Sequence, residues 1–106
     1  MVWGGGLALA LLSQGVFAQD IAAGREKARR CSVCHGQLGI AELPNAPNLA
    51  GENSIYVELQ LKAFRDGDRH HEQMSIIAAR LSDEDIADLA AWFEAIVVTA
   101  TAPDLD

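Results

Sequence analysis

The residues best suited to chemistry in this 106-residue chain are its only two cysteines, Cys31 and Cys34, which form the pattern Cys-x-x-Cys-His with His35. Two thiols at this spacing can add across the two vinyl groups of one porphyrin, and the histidine that follows then lies beside the iron. The motif therefore predicts one haem c, attached covalently through two thioethers from Cys31 and Cys34. It also predicts His35 as an axial ligand of the iron.

Three other uses of the cysteine pair fit the sequence less well. A disulfide between residues so close in sequence closes a very small loop and restrains the unfolded chain little. A thioredoxin-type redox pair is expected beside a strand–helix–strand unit, and no such alternation is visible. A zinc site needs a second pair of ligands at suitable spacing, and the adjacent residues His70 and His71 do not provide it.

A second axial ligand must come from further along the chain, where Met74, His70 and His71 are the candidates. A methionine is usually a core residue in an ordinary protein. Met74, however, has polar residues on both sides, which is unusual in a core and typical of a ligand loop. Met74 is therefore the predicted second ligand, and His70 and His71 are the alternatives.

The elements that must position these residues are predicted to be helical, with no β alternation and no internal repeat. Asp20 is placed to cap a first helix, whose inward face carries Ile21, Gly24, Ala28 and Cys31. A loop rich in glycine and proline follows from Gly36 to Gly51. A second long helix is predicted from Asn53 or Ser54 to about Asp66, ended by Gly67, with Tyr56, Leu59 and Ala63 facing inward.

The C-terminal part of the chain is predicted to hold a charged loop, a short helix and a long one. The loop spans residues 65–72 and the short helix runs from Ile76 to Arg80. Ser82-Asp83-Glu84-Asp85 is a capping signal that places acids at the positive end of a helix dipole. Behind it, apolar residues repeat with helical spacing at Ile86, Leu89, Ala90, Phe93, Ile96 and Val97. The acidic residues of this helix are assigned mainly to its solvated face.

Composition separates a leader from a small domain. The chain has a formal charge of −7, which argues against nucleic-acid binding. Residues 1–18 contain a short apolar run followed by small residues, the pattern of a secretory signal peptide cleaved after Ala18. A retained membrane anchor and a buried helix are the alternatives, although the run is short for a membrane span. Residues 19–106 are rich in alanine, and a haem would supply the apolar volume that this thin core lacks.

Several of these features together resemble a class I c-type cytochrome. They are Gly24, the Cys-x-x-Cys-His motif, the segment Pro47-Asn48-Leu49-Ala50-Gly51, and the run from Leu81 to Phe93. The closest resemblance is to a single-haem domain of the bacterial periplasmic dihaem cytochromes c. It implies an all-α fold of three to four main helices around one covalent haem, with the N- and C-terminal helices crossing where Gly24 meets the region of Trp92 and Phe93.

The resemblance also assigns roles around the haem. It implies that the Pro47 carbonyl accepts a hydrogen bond from His35 Nδ1, the type of contact that orients a metal-bound imidazole. It places Met74 at the axial thioether, and we expect Pro47, Leu49, Tyr56 and Leu59 to line the pocket. Two departures from the family pattern are visible, namely Ile76 where the family often has proline and the His70-His71 pair.

The predicted function follows from the two axial ligands, His35 and Met74, which leave no open position on the iron for a substrate. Residues 19–106 are expected to form a soluble periplasmic mono-haem cytochrome c that transfers single electrons and has no catalytic residues of its own. Its expected partners are redox proteins, without nucleic acid or small-molecule substrate, and with membrane contact at most through a membrane-bound redox complex. The alternatives are an electron-relay subunit of a dehydrogenase or oxidase, and a ligand-sensing or peroxidatic haem protein.

Overall fold

The computed structural model of the chain describes residues 1–10 and 19–106, and all regular secondary structure in these ranges is helical. The helices are α1 (Ile21–Lys27), a 3₁₀ turn (Ala28–Arg30), α2 (Ser32–His35), α3 (Ser54–Asp66), α4 (Met74–Ala78) and α5 (Asp83–Ala95). The prediction of an all-α fold is confirmed, with α1, α3 and α5 as its longer helices.

The N-terminal segment is only partly covered. Residues 1–10 are exposed and have no regular secondary structure. The cleavage site predicted after Ala18, like the rest of residues 11–18, lies outside the described ranges. Within residues 1–10 and 19–106, no helix combines the length and apolar character needed to cross a membrane.

Side-chain caps begin the three longer helices at the predicted residues Asp20, Asn53 and Ser82. Each side chain accepts a hydrogen bond from the backbone N–H three residues later, at 3.0–3.2 Å. At α5 the cap is reciprocal, because Asp85 also accepts a hydrogen bond from the Ser82 N–H at 3.0 Å. Gly67 ends α3 in the left-handed conformation, with φ of 84°. Local sequence chemistry therefore fixes these helix ends.

Other helix boundaries differ from the prediction. The predicted first helix is split, because the backbone tightens into the 3₁₀ turn before Cys31. The short helix begins at Met74, two residues before the predicted start at Ile76. The last helix ends at Ala95, so Val97 is 91% exposed and does not belong to the buried stripe.

The core lies where α5 meets the N-terminal helices and α3. Its buried cluster comprises Ala28, Leu81, Ile86, Leu89 and Phe93, with Leu49, Leu61 and Trp92 among the half-buried residues packed against it. Backbone also joins this region to the long loop, since the Gly51 N–H donates a hydrogen bond of 2.8 Å to the Phe93 carbonyl. The C-terminal helix therefore supports both α1 and the loop that follows the cysteine motif.

The helices α1 and α5 approach each other closely at Gly24. A Cβ atom built on this glycine would lie 1.9 Å from the Asp88 carbonyl oxygen and 2.9 Å from Trp92 Cβ. No side chain fits such a gap without moving one of the two helices. The expected close packing of the first and last helices is confirmed, and it depends on the missing side chain.

Replacing Gly24 by alanine should lower the free energy of unfolding by about 2 kcal/mol or more. Overpacking typically costs about 1–3 kcal/mol. Because the clash here is with backbone atoms, we expect a cost at the upper end of this range. This cost exceeds the ~1 kcal/mol by which alanine is the better helix former. Guanidinium denaturation would measure the change. Ala22→Gly, on an exposed position of the same helix, is the control for propensity alone. A Gly24→Ala protein as stable as the parent would contradict the packing argument.

Asp88 of α5 forms an ionic contact with Lys27 of α1, and this contact was not predicted from the sequence. Its side chain is 2% exposed and accepts hydrogen bonds from the Asp20 N–H at 3.0 Å and from Lys27 Nζ at 2.6 Å. Assigning this carboxylate to a solvated face was wrong. The hydrogen bond to Asp88 raises the pKa of Lys27. The contribution of this ion pair to the free energy of unfolding is therefore complete below the ordinary pKa of lysine. It disappears as the pH rises through the raised pKa of Lys27.

Candidate haem-binding site

The Cys-x-x-Cys-His motif is held by two consecutive turns of backbone hydrogen bonds. The Cys31 N–H donates to the Ala28 carbonyl and the His35 N–H donates to the Cys31 carbonyl, both at 2.9 Å. Cys31 and Cys34 are half-buried free thiols. Burial raises the pKa of the Cys31 thiol. The compact turns bring both sulfurs and the imidazole to one wall of a cavity.

His35 is oriented by the loop that follows it. The side chain is 7% exposed, and its Nδ1 lies 2.8 Å from the Pro47 carbonyl oxygen. A carbonyl oxygen can only accept, so Nδ1 donates and the proton of the neutral ring resides there. Nε2 then carries the free lone pair that a metal ligand needs. The His35–Pro47 hydrogen bond expected from the resemblance is confirmed.

The position of the Pro47 carbonyl depends on how the long loop folds back on itself. The Gly39 carbonyl accepts hydrogen bonds from the N–H groups of Leu49 at 2.7 Å and Ala50 at 3.0 Å. Gly39 has φ of 74°, and a Cβ atom there would lie 2.6 Å from the Ala50 nitrogen. The Asn48 side chain also accepts a backbone N–H across the loop, at 2.7 Å. The loop therefore presents Pro47 to His35 as a fixed acceptor.

One cavity of about 410 Å³ brings the predicted site residues together. This size is within the range of ordinary ligand and cofactor pockets. The residues predicted as haem attachment sites, axial ligands or pocket lining that line it are Cys31, Cys34, His35, Pro47, Leu49, Tyr56 and Met74. Core side chains complete the wall, including Leu81, Leu89 and Phe93. The cavity is thus continuous with the hydrophobic core.

Leu59 is the exception among the predicted pocket residues. Its side chain is 61% exposed and does not line the cavity. The inward stripe of α3 consists instead of Val57, Leu61 and Phe64, at positions i, i+4 and i+7. The prediction for Leu59 was wrong because it followed the helical spacing of Tyr56 and Leu59. The α3 residues that are most buried against the cavity follow the spacing that starts at Val57 instead. Tyr56, which directly precedes Val57, is 51% exposed and still lines the cavity.

Met74 is the first residue of α4 and lines the same cavity as His35. Its side chain is half-buried, although the sequence around it is polar. Both alternative ligands, His70 and His71, are exposed, but His71 lines the cavity and His70 does not. The structure thus places Met74 and His71, but not His70, within the site.

Arg69 belongs to the charged loop predicted over residues 65–72, and its place in the site was not predicted. It lines the cavity, and its guanidinium carbon lies 4.5 Å from the centroid of the Phe64 ring. Its Nη1 donates a hydrogen bond of 2.7 Å to Gln60 Oε1, and its backbone N–H donates to the Ala63 carbonyl. Helical periodicity does not reveal this cluster, because the chain turns at Gly67 before it returns to α3.

The residues around the cavity fit a haem in their chemistry. Two thiols and an imidazole with a free lone pair line a cavity that also carries a thioether. Apolar core residues form much of the remaining wall, which suits the faces of a porphyrin. Arg69 supplies a positioned cation, and haem carries carboxylates that such a group can pair. This donor set matches a c-type haem with histidine and methionine as axial ligands.

Comparisons with known proteins agree with this chemistry. The family model for cytochrome c matches residues 21–96. Cytochrome c-554(548) of Halomonas halodenitrificans is 46% identical over 79 residues, which is 72% of this chain and 95% of that protein. Cytochrome c4 of Pseudomonas aeruginosa is 41% identical over 87 residues, which is 82% of this chain and 43% of that protein.

A solved structure shows the same fold. The crystal structure of reduced recombinant cytochrome c4 from Pseudomonas stutzeri aligns with a TM-score of 0.73 and 32% identity over 82% of this chain and 50% of that one. The chain therefore spans about half the length of the cytochromes c4 and nearly all of cytochrome c-554(548). The chain therefore belongs to the cytochrome c family, as its helical fold, its Cys-x-x-Cys-His cavity and these matches all indicate.

Proposed function

We propose that residues 19–106 form a periplasmic mono-haem carrier of single electrons. Cys31 and Cys34 would hold the haem through thioethers, and His35 and Met74 would be its axial ligands. When bound, the haem supplies one-electron exchange between ferric and ferrous iron. The observation that supports this most directly is the single cavity lined by all four of these residues.

The protein's contribution is to hold a fixed set of ligands in a pocket that is continuous with the hydrophobic core. The Pro47 carbonyl keeps the lone pair of His35 available at Nε2. The thioether of Met74 favours the reduced state and raises the potential. Leu89 and Phe93, buried in the core and in the cavity wall, keep water from that side. With both axial positions occupied, no place is left for a substrate, and we propose a carrier rather than an enzyme.

Export and partners complete the proposal. The apolar run before Gln19 supports a signal peptide cleaved after Ala18 and delivery of residues 19–106 to the periplasm. Donor and acceptor would be redox proteins. Three exposed arginines, Arg25, Arg29 and Arg30, lie in the segment before Cys31, where Arg29 also pairs with Glu26 at 3.2 Å, in a chain with an overall charge of −7. Such a local basic surface would steer an acidic partner toward the haem side.

The test is to express the whole chain with a haem-attachment system and to analyse the periplasmic fraction. We expect one c-type haem per chain by pyridine haemochrome spectroscopy, retained after extraction with acidified acetone. We also expect the reduced protein not to bind carbon monoxide rapidly at neutral pH, because Met74 occupies the iron. The absence of c-type bands would refute the proposal. Rapid carbon monoxide binding would favour the sensing or peroxidatic alternative. Copurification in a stable larger complex would favour the relay-subunit alternative.

A further inference from the structure

The imidazole of His71 lies at the start of the turn that carries Met74. Its Nδ1 is 3.2 Å from the Gln73 nitrogen and 3.3 Å from the Met74 nitrogen. Backbone N–H groups can only donate, so Nδ1 accepts both hydrogen bonds. The backbone of Met74 is therefore held directly by the side chain of His71.

The N-cap position of α4 itself is Gln73, which has no side-chain cap, and two more hydrogen bonds make His71 the cap of the turn that leads into α4. The His71 carbonyl accepts from the Ser75 N–H at 3.0 Å, as the first acceptor of a helix does. The Ser75 hydroxyl in turn accepts from the His71 N–H at 3.0 Å. A side chain that accepts from the backbone two and three residues later is the usual N-cap arrangement, here made by an imidazole instead of Ser, Thr, Asp or Asn.

We infer that His71 is a positioning residue for Met74, which fixes the backbone of α4 so that the thioether of Met74 stays in the haem cavity. This inference rests on the proposed function, in which Met74 is an axial ligand. His71 lines the same cavity, which places the holding group beside the ligand that it holds.

The tautomer required by these contacts argues against His71 as a ligand in its own right. A neutral imidazole that accepts at Nδ1 carries its proton on Nε2. The nitrogen left over is therefore a donor, without a lone pair for iron. His35 has the opposite arrangement, with the proton on Nδ1 and a free Nε2. The two histidines of the cavity thus have different tasks, one as ligand and the other as a cap.

The chain offers matched controls for a cap at this place. His70 is the preceding residue, is exposed and does not line the cavity. His70→Ala therefore removes an imidazole next to His71 without removing the cap. Ser82 caps α5 with a hydrogen bond of 3.0 Å and does not line the cavity, so Ser82→Ala removes a cap remote from Met74. His71→Asn keeps a side-chain acceptor at this cap.

The experiment is an imidazole titration of the ferric holoprotein, because external imidazole binds only after Met74 leaves the iron. His71→Ala should raise the apparent affinity for imidazole about 2- to 30-fold, the factor that corresponds to the loss of a helix cap. It should also weaken the far-red thioether–iron band. His71→Asn should return the affinity most of the way from the His71→Ala value to that of the parent. His70→Ala and Ser82→Ala should leave both readouts unchanged, although Ser82→Ala lowers the melting temperature.

The outcomes separate this inference from the function on which it rests. The inference is overturned if His71→Ala binds imidazole no more tightly than His70→Ala. It is equally overturned if Ser82→Ala raises the affinity as much as His71→Ala, because the effect would then be general destabilisation. A Met74→Ala protein that binds imidazole no better than the parent would refute Met74 as ligand, and His71 as its positioning residue as well.

Discussion

Replacing Met74 by alanine is expected to lower the reduction potential on the order of 0.1 V, compared with the ~0.8 V that axial ligands span in haem proteins. The thioether favours ferrous iron, and alanine offers no donor in its place. The far-red thioether–iron band should disappear, and the reduced protein should bind carbon monoxide. Spectroelectrochemical titration would measure the potential, and absorption spectra would follow the band and the carbon monoxide complex.

The control for this substitution is Ile77→Ala, which removes another cavity-lining side chain from α4. It enlarges the cavity without removing a donor, so the far-red band should remain and the potential should change much less. If Met74→Ala instead keeps the parent spectrum, Met74 is not the ligand. His71 would then be the remaining candidate within the cavity, which would require a lone pair on Nε2 and would overturn the cap assigned to it.

Replacing both Cys31 and Cys34 by serine is expected to abolish covalent haem attachment completely. Serine hydroxyls do not form thioethers, so no c-type haemochrome should survive extraction with acidified acetone. We also expect the unfolding free energy to fall by several kcal/mol, out of the about 5–15 kcal/mol typical of a small domain. The reason is that Leu89 and Phe93 belong both to the buried core and to the cavity wall.

Val33→Ala is the matched control for the cysteine variant. Val33 lies between the two cysteines, is 74% exposed and does not line the cavity. Its replacement should leave the haem yield and the stability close to those of the parent. Covalent haem in the double-serine protein would show that the attachment does not use these thiols.

The features that the sequence predicted correctly are those encoded by local chemistry. Asp20, Asn53 and Ser82 cap their helices because each side chain reaches a backbone N–H only three residues away. The haem motif is similarly local, since its three groups lie within five residues. Contacts of this kind need no knowledge of the fold, and a single sequence therefore reveals them.

The features that were missed depend on contacts between distant segments. Asp88 is buried because Lys27 and the start of α1, more than sixty residues away in sequence, supply its hydrogen bonds. The inward face of α3 follows Val57 rather than Leu59, because packing against the cavity selects between two possible stripes. The cap of the turn that leads into α4 was missed since histidine is not a usual N-cap residue. In each case the deciding partner or geometry lies outside the local pattern.

The contact between Gly24 and α5 has a consequence for suppressor genetics. Most core clashes can be relieved by shrinking the side chain on the other side. Here the nearest atom is the carbonyl oxygen of Asp88, which every amino acid at position 88 would retain. No substitution at that position could restore a protein that has lost Gly24, and a selection for revertants should recover mainly true reversion to glycine.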